Sequence, residues 1–142
     1  MKKLLFMLMP LLVSFTAHAT LPIQHWTTPN GVPVTFVARH ELPIVDIALT
    51  FKAGSAYERE HYGLANMVGE TLMTGTPQWD ESAIDTKLDA LGVDATTDVG
   101  VDAATVRIRS LAEPKTLDAA VQVISTIRKH PSFPVVAWDR IR

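Results

Sequence analysis

A period-two pattern of large apolar side chains over residues 44–52 constrains the fold of this chain more than any other sequence feature. Successive side chains of a β-strand point to opposite faces, so the alternation predicts a strand with one buried face. The side chains on that face are Val45, Ile47, Leu49 and Phe51. A second alternating segment, 34–39, follows the turn signal Asn30-Gly31. Because the link between the two segments is too short for a crossover helix, we predict that they pair as an antiparallel hairpin.

Two helices are predicted after this strand. The segment 61–73 carries apolar side chains at helical spacing and ends at Gly75-Thr76-Pro77, where proline stops a helix. Its stripe predicts a largely buried helix and consists of Leu64, Ala65, Met67, Val68 and Leu72. Asp80 is a suitable N-cap for the second helix, and Gly92 stands where a C-terminal glycine belongs. One face of that helix carries Ile84, Leu88 and Leu91.

The remaining segments predict a second strand pair and further helices. The strands are 93–98 and 101–110, and one face of the longer strand carries Ala104, Val106 and Ile108. Thr116 is the predicted cap of a third helix, whose stripe is Leu117, Ala120, Val121, Ile124 and Ile127. A last stripe, Val135, Trp138 and Ile141, reaches the end of the chain, so we expect a longer protein. The order of elements indicates an α+β fold with helices packed on one face of an antiparallel sheet, here incomplete.

The first nineteen residues have the layout of a secretory signal peptide. Two lysines at positions 2 and 3 precede an apolar run, and Ala17-His18-Ala19 forms a small-residue cleavage site. The run is shorter than the ~20 apolar residues that span a bilayer, so a stable membrane anchor is not expected. We therefore predict cleavage after Ala19, export to the periplasm, and a mature protein that begins at residue 20.

Charge and composition limit the possible functions. Thirteen Lys and Arg residues against fifteen Asp and Glu residues give a net charge of -2, which excludes a nucleic-acid binder that relies on a basic field. The chain has no cysteine, so any metal must be held by His, Asp or Glu. Four histidines without ligand spacing are expected at the surface: His25, His40, His61 and His130.

Two further charged sets have alternative readings. Asp94, Asp98 and Asp102 fall on one face of the second strand pair, where they could hold calcium or merely belong to Asp-Gly turns. Arg107 and Arg109 point outward from the longer strand, toward either a peptide partner or solvent.

The segment 51–76 carries a family resemblance. It contains Phe51-Lys52-Ala53-Gly54-Ser55, then Gly63-Leu64-Ala65-Asn66-Met67-Val68-Gly69-Glu70, then Gly75-Thr76. This succession resembles the pitrilysin/insulinase family of zinc metallopeptidases, the inverzincins, in which a strand ending in A-G-S precedes a helix reading G-L-A-H-x-x-E-H. Other segments fall in family order, namely Asn30-Gly31, Leu42-Pro43, Leu91-Gly92 and Pro131-Ser132-Phe133-Pro134. The resemblance implies that residues 20–142 are an N-terminal domain of this family, truncated before its end.

The family's zinc motif is degenerate in this chain. In H-x-x-E-H, two histidines on one helical face bind Zn²⁺ and the glutamate acts as the general base. The resemblance places Asn66 and Glu70 at the histidine positions and Gly69 at the position of the base. An amide is a poor zinc ligand and glycine has no side chain, so Glu70 is the only possible ligand in the motif. We therefore expect no catalytic residue and no bound metal, whereas active relatives hold zinc with a third ligand, a glutamate that would lie beyond Arg142.

The resemblance implies a role in binding and assembly. In bacterial members, a subunit with a degenerate motif is often paired with a sister subunit that keeps H-x-x-E-H. This chain is accordingly expected to be the non-catalytic subunit, with peptides or unfolded polypeptides held along a sheet edge. Two alternatives remain: an active zinc-dependent metalloendopeptidase with unusual ligands, and a peptide-binding remnant without a partner. Neither nucleic acid nor a stable membrane anchor is expected as a partner.

Overall fold

A computed structural model describes residues 22–141, which divide into a unit ending at His40 and a unit beginning at Glu41. The predicted signal peptide, residues 1–19, and its cleavage site lie outside the described residues. Among the residues described, no helix is long and apolar enough to cross a membrane.

The first unit contains an antiparallel hairpin of β1, Ile23–Thr27, and β2, Pro33–Val37. The connection turns at Asn30-Gly31 as predicted, with Gly31 at a φ of 85°. The backbone N–H of Thr28 donates to the carbonyl oxygen of Val32 at 2.9 Å and closes the loop. The predicted pairing of 34–39 with 44–52 is wrong, because β2 pairs with β1 instead.

The second unit is built on a three-stranded antiparallel sheet. Its strands are β3, Ile44–Phe51, β4, Asp94–Val99, and β5, Ala104–Leu111, in the order β3-β5-β4. The predicted pairing of the two later strands is confirmed, and β5 also pairs with β3 over its full length. The partner of β3 is thus β5, a strand distant in sequence. The short link at 40–43 carries no information about that pairing.

The alternation predicted for β5 is confirmed by burial over 106–109. Val106 and Ile108 of β5 are buried, whereas Arg107 and Arg109 are exposed on the opposite face. In β3 the alternation holds for Val45, Ile47 and Leu49, which are half-buried, whereas Phe51, predicted on the same buried face, is 40% exposed. Two helices cover the buried face, namely α2, Glu81–Leu91, and α3, Pro114–Lys129. Their buried side chains complete one core and are Ile84, Leu88, Ala120, Val123, Ile124 and Ile127. The α+β class, with helices on one face of an antiparallel sheet, is therefore confirmed.

The ends of α2 follow the prediction, whereas the start of α3 does not. The Asp80 carboxylate accepts a hydrogen bond from the backbone N–H of Ala83 at 2.8 Å, and Gly92 takes a left-handed conformation at the other end. In α3, Thr116 was expected to cap the helix, but the N-cap is Glu113. Pro114 fixes the first helical position, because its locked φ suits a helix start and its missing N–H needs no partner.

The burial of three helical stripes also differs from expectation. In α3, Val121 is exposed and Val123 takes the buried position. The last helix, α4, Val135–Ile141, buries Ala137, whereas Val135 is 76% exposed. The helix predicted over 61–73 is α1, Leu64–Thr71, and it buries Gly69 and Thr71 while its predicted core residues Leu64 and Val68 are exposed. Hydropathy alone predicts each stripe, and in α1 and α4 the buried contacts are made instead by smaller residues, Gly69, Thr71 and Ala137.

Candidate functional site

Helix α1 begins with a cap from a preceding side chain. Gly63 has a φ of 86°, a left-handed conformation that keeps the helix from starting at His61. One oxygen of the Glu58 carboxylate accepts from the N–H of Gly63 and the other from the N–H of Ala65, each at 2.8 Å. The carboxylate satisfies two backbone donors at the positive end of the helix, which fixes where the helix begins.

The three positions of the degenerate motif lie on α1 in different environments. Asn66 and Glu70 are exposed, one helical turn apart, whereas Gly69 is buried. The exposed pair offers one amide and one carboxylate. The buried position, where the resemblance expects the general base, offers no side chain.

Gly69 lies against β4. A Cβ atom added there would lie 2.6 Å from Cγ2 of Val99 and 3.4 Å from Cγ2 of Thr97. Carbon atoms in favourable contact are ~3.5–4.0 Å apart, so a side chain at position 69 would require Val99 or the helix to move. The buried hydroxyl of Thr97 has no hydrogen-bond partner among the described residues.

The chemistry available on this helix is limited by its donor set. Zinc sites in proteins use at least three ligands, drawn from His, Cys and carboxylate side chains. Within residues 22–141, no three side chains of these types come together as a possible metal site. The predicted surface histidines are all exposed, and Nδ1 of His25 lies 3.1 Å from Oγ1 of Thr35 in the hairpin.

The three aspartates do not share one face as predicted. Asp94 and Asp98 belong to β4, but Asp102 lies in the turn that follows, because β4 ends at Val99 and β5 begins only at Ala104. The exposed face of β4 therefore carries only two of these three carboxylates, those of Asp94 and Asp98.

The same open face of the sheet carries an ion pair. Nε of Arg109 donates to the Asp46 carboxylate at 2.7 Å and Nη2 donates at 3.1 Å. These hydrogen bonds from Arg109 hold the pKa of the Asp46 carboxyl below its ordinary value of 3.8. A shallow cavity bordered by Asp46, Asp94, Arg107 and Arg109 lies on this face, opposite the face on which α1 packs.

Three of the sequence segments that carry the resemblance make backbone contacts around α1. The segment after β3 approaches the turn between β4 and β5, where the N–H of Ser55 donates to the carbonyl oxygen of Gly100 at 3.0 Å. The carbonyl oxygen of Gly75 accepts from the N–H of Ser132 at 3.0 Å, which joins the Gly75-Thr76 segment to the proline-rich segment before α4. These segments are thus structural connections around α1.

Sequence reasoning missed two residues that shape this site. Glu58 lies five and seven residues before the amides it caps, whereas the known capping box spans three residues, so the local pattern does not single it out. Val99 lies just outside the predicted strands 93–98 and 101–110, and its contact with Gly69 follows only from the packing of α1 on β4.

Comparisons with known proteins place the chain in a family. The sequence profile described as Insulinase (Peptidase family M16) matches residues 34–141. A comparison with curated proteins gave no match.

Solved structures show the same fold. The inactive domain of a peptidase M16 from Pseudomonas fluorescens is similar, with 31% identity, a TM-score of 0.81, and coverage of 85% of this chain and 29% of that one. A protease from Helicobacter pylori matches at 16% identity and a TM-score of 0.70, with coverage of 85% and 29%. The periplasmic protease PqqL from Escherichia coli matches at 14% identity and a TM-score of 0.72, with coverage of 86% and 14%.

The chain therefore spans less than a third of the length of each of these structures. The family profile covers most of the sequence, including the whole of α1 and the sheet on which it packs. The chain belongs to the insulinase family of peptidases, family M16.

Proposed function

We propose that this chain is a non-catalytic member of the M16 family. The observation that carries the proposal is the position of the general base, where Gly69 is buried and has no side chain that could accept a proton. Asn66 and Glu70 supply one amide and one carboxylate, fewer than the three ligands of a zinc site. The 31% identity to an M16 domain described as inactive is consistent with this role.

The proposed role is to support peptide binding by a zinc protease that keeps H-x-x-E-H. Within residues 22–141, the strand order β3-β5-β4 leaves β4 at an edge of the sheet, and α1 packs on it. An extended peptide or an unfolded polypeptide can add to such an edge through main-chain hydrogen bonds. The sister subunit would provide zinc and the general base, and residues 1–19 would direct export to the periplasm before cleavage.

Metal and activity measurements on the purified full-length gene product test the non-catalytic role. We expect far less than one zinc per chain and no chelator-sensitive peptide hydrolysis. Glu70→Ala should leave both quantities unchanged. Stoichiometric zinc together with peptidase activity that Glu70→Ala abolishes would instead support an active enzyme with unusual ligands.

Pull-down from the bacterial envelope tests the partner and the export. We expect co-purification of an M16 protein with an intact H-x-x-E-H motif, and a mature N-terminus at Thr20. The sister subunit assayed alone and with this chain should differ in its KM for peptides. Recovery of a chain that still begins with Met1 would contradict export, and unchanged KM would contradict the role in substrate binding.

A further inference from the structure

The contact between Gly69 and Val99 bears on whether the motif can regain its base. A Cβ at position 69 would meet Cγ2 of Val99 at 2.6 Å and Cβ of the same residue at 3.9 Å. Valine has few χ1 rotamers because its Cβ is branched, and Thr97 lies beside the same position at 3.4 Å. The space next to Gly69 is therefore occupied by an adjoining strand rather than by solvent.

A glycine in the middle of a helix can also persist because nothing selects against it. In that case an alanine would stabilise α1, since alanine has a higher helix propensity than glycine. The packing against β4 predicts the opposite, because the added methyl group must push Val99 or the whole helix away. The sign of the effect therefore separates the two explanations.

We infer that Val99 fills the space that a side chain at position 69 requires, so that substitution of Gly69 alone does not restore a general base. The pair sets how closely α1 approaches β4, and an acidic side chain at 69 needs a smaller residue at 99. The identification of position 69 with the base rests on the proposed function, whereas the packing relation does not. Loss of the base is thus built into two positions of the chain.

A double-mutant cycle in the full-length gene product tests this coupling through the thermal midpoint, Tm. Gly69→Ala is expected to lower Tm by at least ~2 °C when Val99 is present, as overpacking does in a larger protein. In a Val99→Ala background, the same change is expected to raise Tm. Gly69→Glu should lower Tm when Val99 is present, and Val99→Ala should reduce that loss without removing it.

Two controls give the cycle its specificity. Asn66→Ala changes an exposed residue of the same helix, so its effect on Tm should be equal in both backgrounds. Val99→Thr keeps the branched shape of the side chain, so it should not rescue Gly69→Ala. Asn66→Ala shows whether any change in α1 depends on the residue at 99, and Val99→Thr shows whether any change of Val99 rescues Gly69→Ala. Together they isolate the effect of the space next to Gly69.

Each outcome decides the inference. An increase in Tm for Gly69→Ala with Val99 present, or an equal change in both backgrounds, would overturn it. If Gly69→Ala does not fold, folding of Gly69→Ala/Val99→Ala supports it, and failure of that double variant while Val99→Ala folds overturns it. Zinc bound by the unmodified protein would refute the proposed function and leave this cycle unaffected.

Discussion

Removal of the Glu58 carboxylate tests how α1 is held. In the variant Glu58→Ala, the amides of Gly63 and Ala65 lose acceptors that lie at 2.8 Å. Both amides belong to the first turn of a helix only eight residues long, so few other interactions compensate. We expect α1 to fray from its N-terminus.

The magnitude follows from the two bonds. Loss of an N-cap side chain destabilises a protein by ~0.5–2 kcal/mol, and hydrogen bonds to charged groups contribute ~1.5–3 kcal/mol each. Because Glu58 is only partly buried and water replaces some of each bond, we expect the free energy of unfolding to fall by ~2 kcal/mol. Glu58→Gln keeps one acceptor oxygen and should lose about half as much.

Urea denaturation followed by circular dichroism measures the loss, and hydrogen exchange of the two amides locates it. Glu60→Ala is the matched control, since Glu60 is exposed and makes no side-chain hydrogen bond within residues 22–141. The control should change the free energy of unfolding by less than ~0.5 kcal/mol. Equal denaturation midpoints for Glu58→Ala and Glu60→Ala, or unchanged exchange of the Gly63 and Ala65 amides, would refute the assigned cap.

Two further outcomes are expected. Gly54→Ala should lower the free energy of unfolding by ~3 kcal/mol in urea denaturation, because its Cβ would lie 2.5 Å from the carbonyl carbon of Val101, while Gly100→Ala should stay within ~0.5 kcal/mol. Asp46→Asn should lower Tm at pH 7, because the hydrogen bond from Arg109 depresses the folded-state pKa of Asp46 and so stabilises the protein above pH 3.8. That difference should vanish as the pH falls through the depressed pKa, and a difference that persists there would contradict the assignment.

Elements with local signals could be predicted from the sequence. Asp80 and Gly92 bound α2 because a cap acts within one turn of the helix that it ends. The pairing of β4 with β5 also depends on a short turn, and the structure confirms it. In each case the residues that decide the structure are neighbours in sequence.

Elements fixed by distant contacts could not be predicted. The strand β1, whose sequence is Ile-Gln-His-Trp-Thr, lacks a clear alternation and was missed, although the turn after it was identified. The partner of β3 was predicted wrongly for a similar reason. Its alternation is compatible both with the preceding segment 34–39 and with β5, which lies far along the chain. At the motif helix, the family resemblance aligned Asn66, Gly69 and Glu70 with the zinc motif, but it gave no sign of the side chain that packs on Gly69, which belongs to a strand.

The order β3-β5-β4 has a consequence for synthesis of the chain. The central strand, β5, is the last of the three to be made, and it is the partner of both others. Residues of β3 pair with residues about 50–70 positions later in the sequence, and pairing over such a separation slows folding. A nascent chain that ends before residue 104 lacks β5, so β3 has no strand to pair with and its apolar side stays uncovered. The sheet of the second unit can therefore form only after β5 has been synthesised.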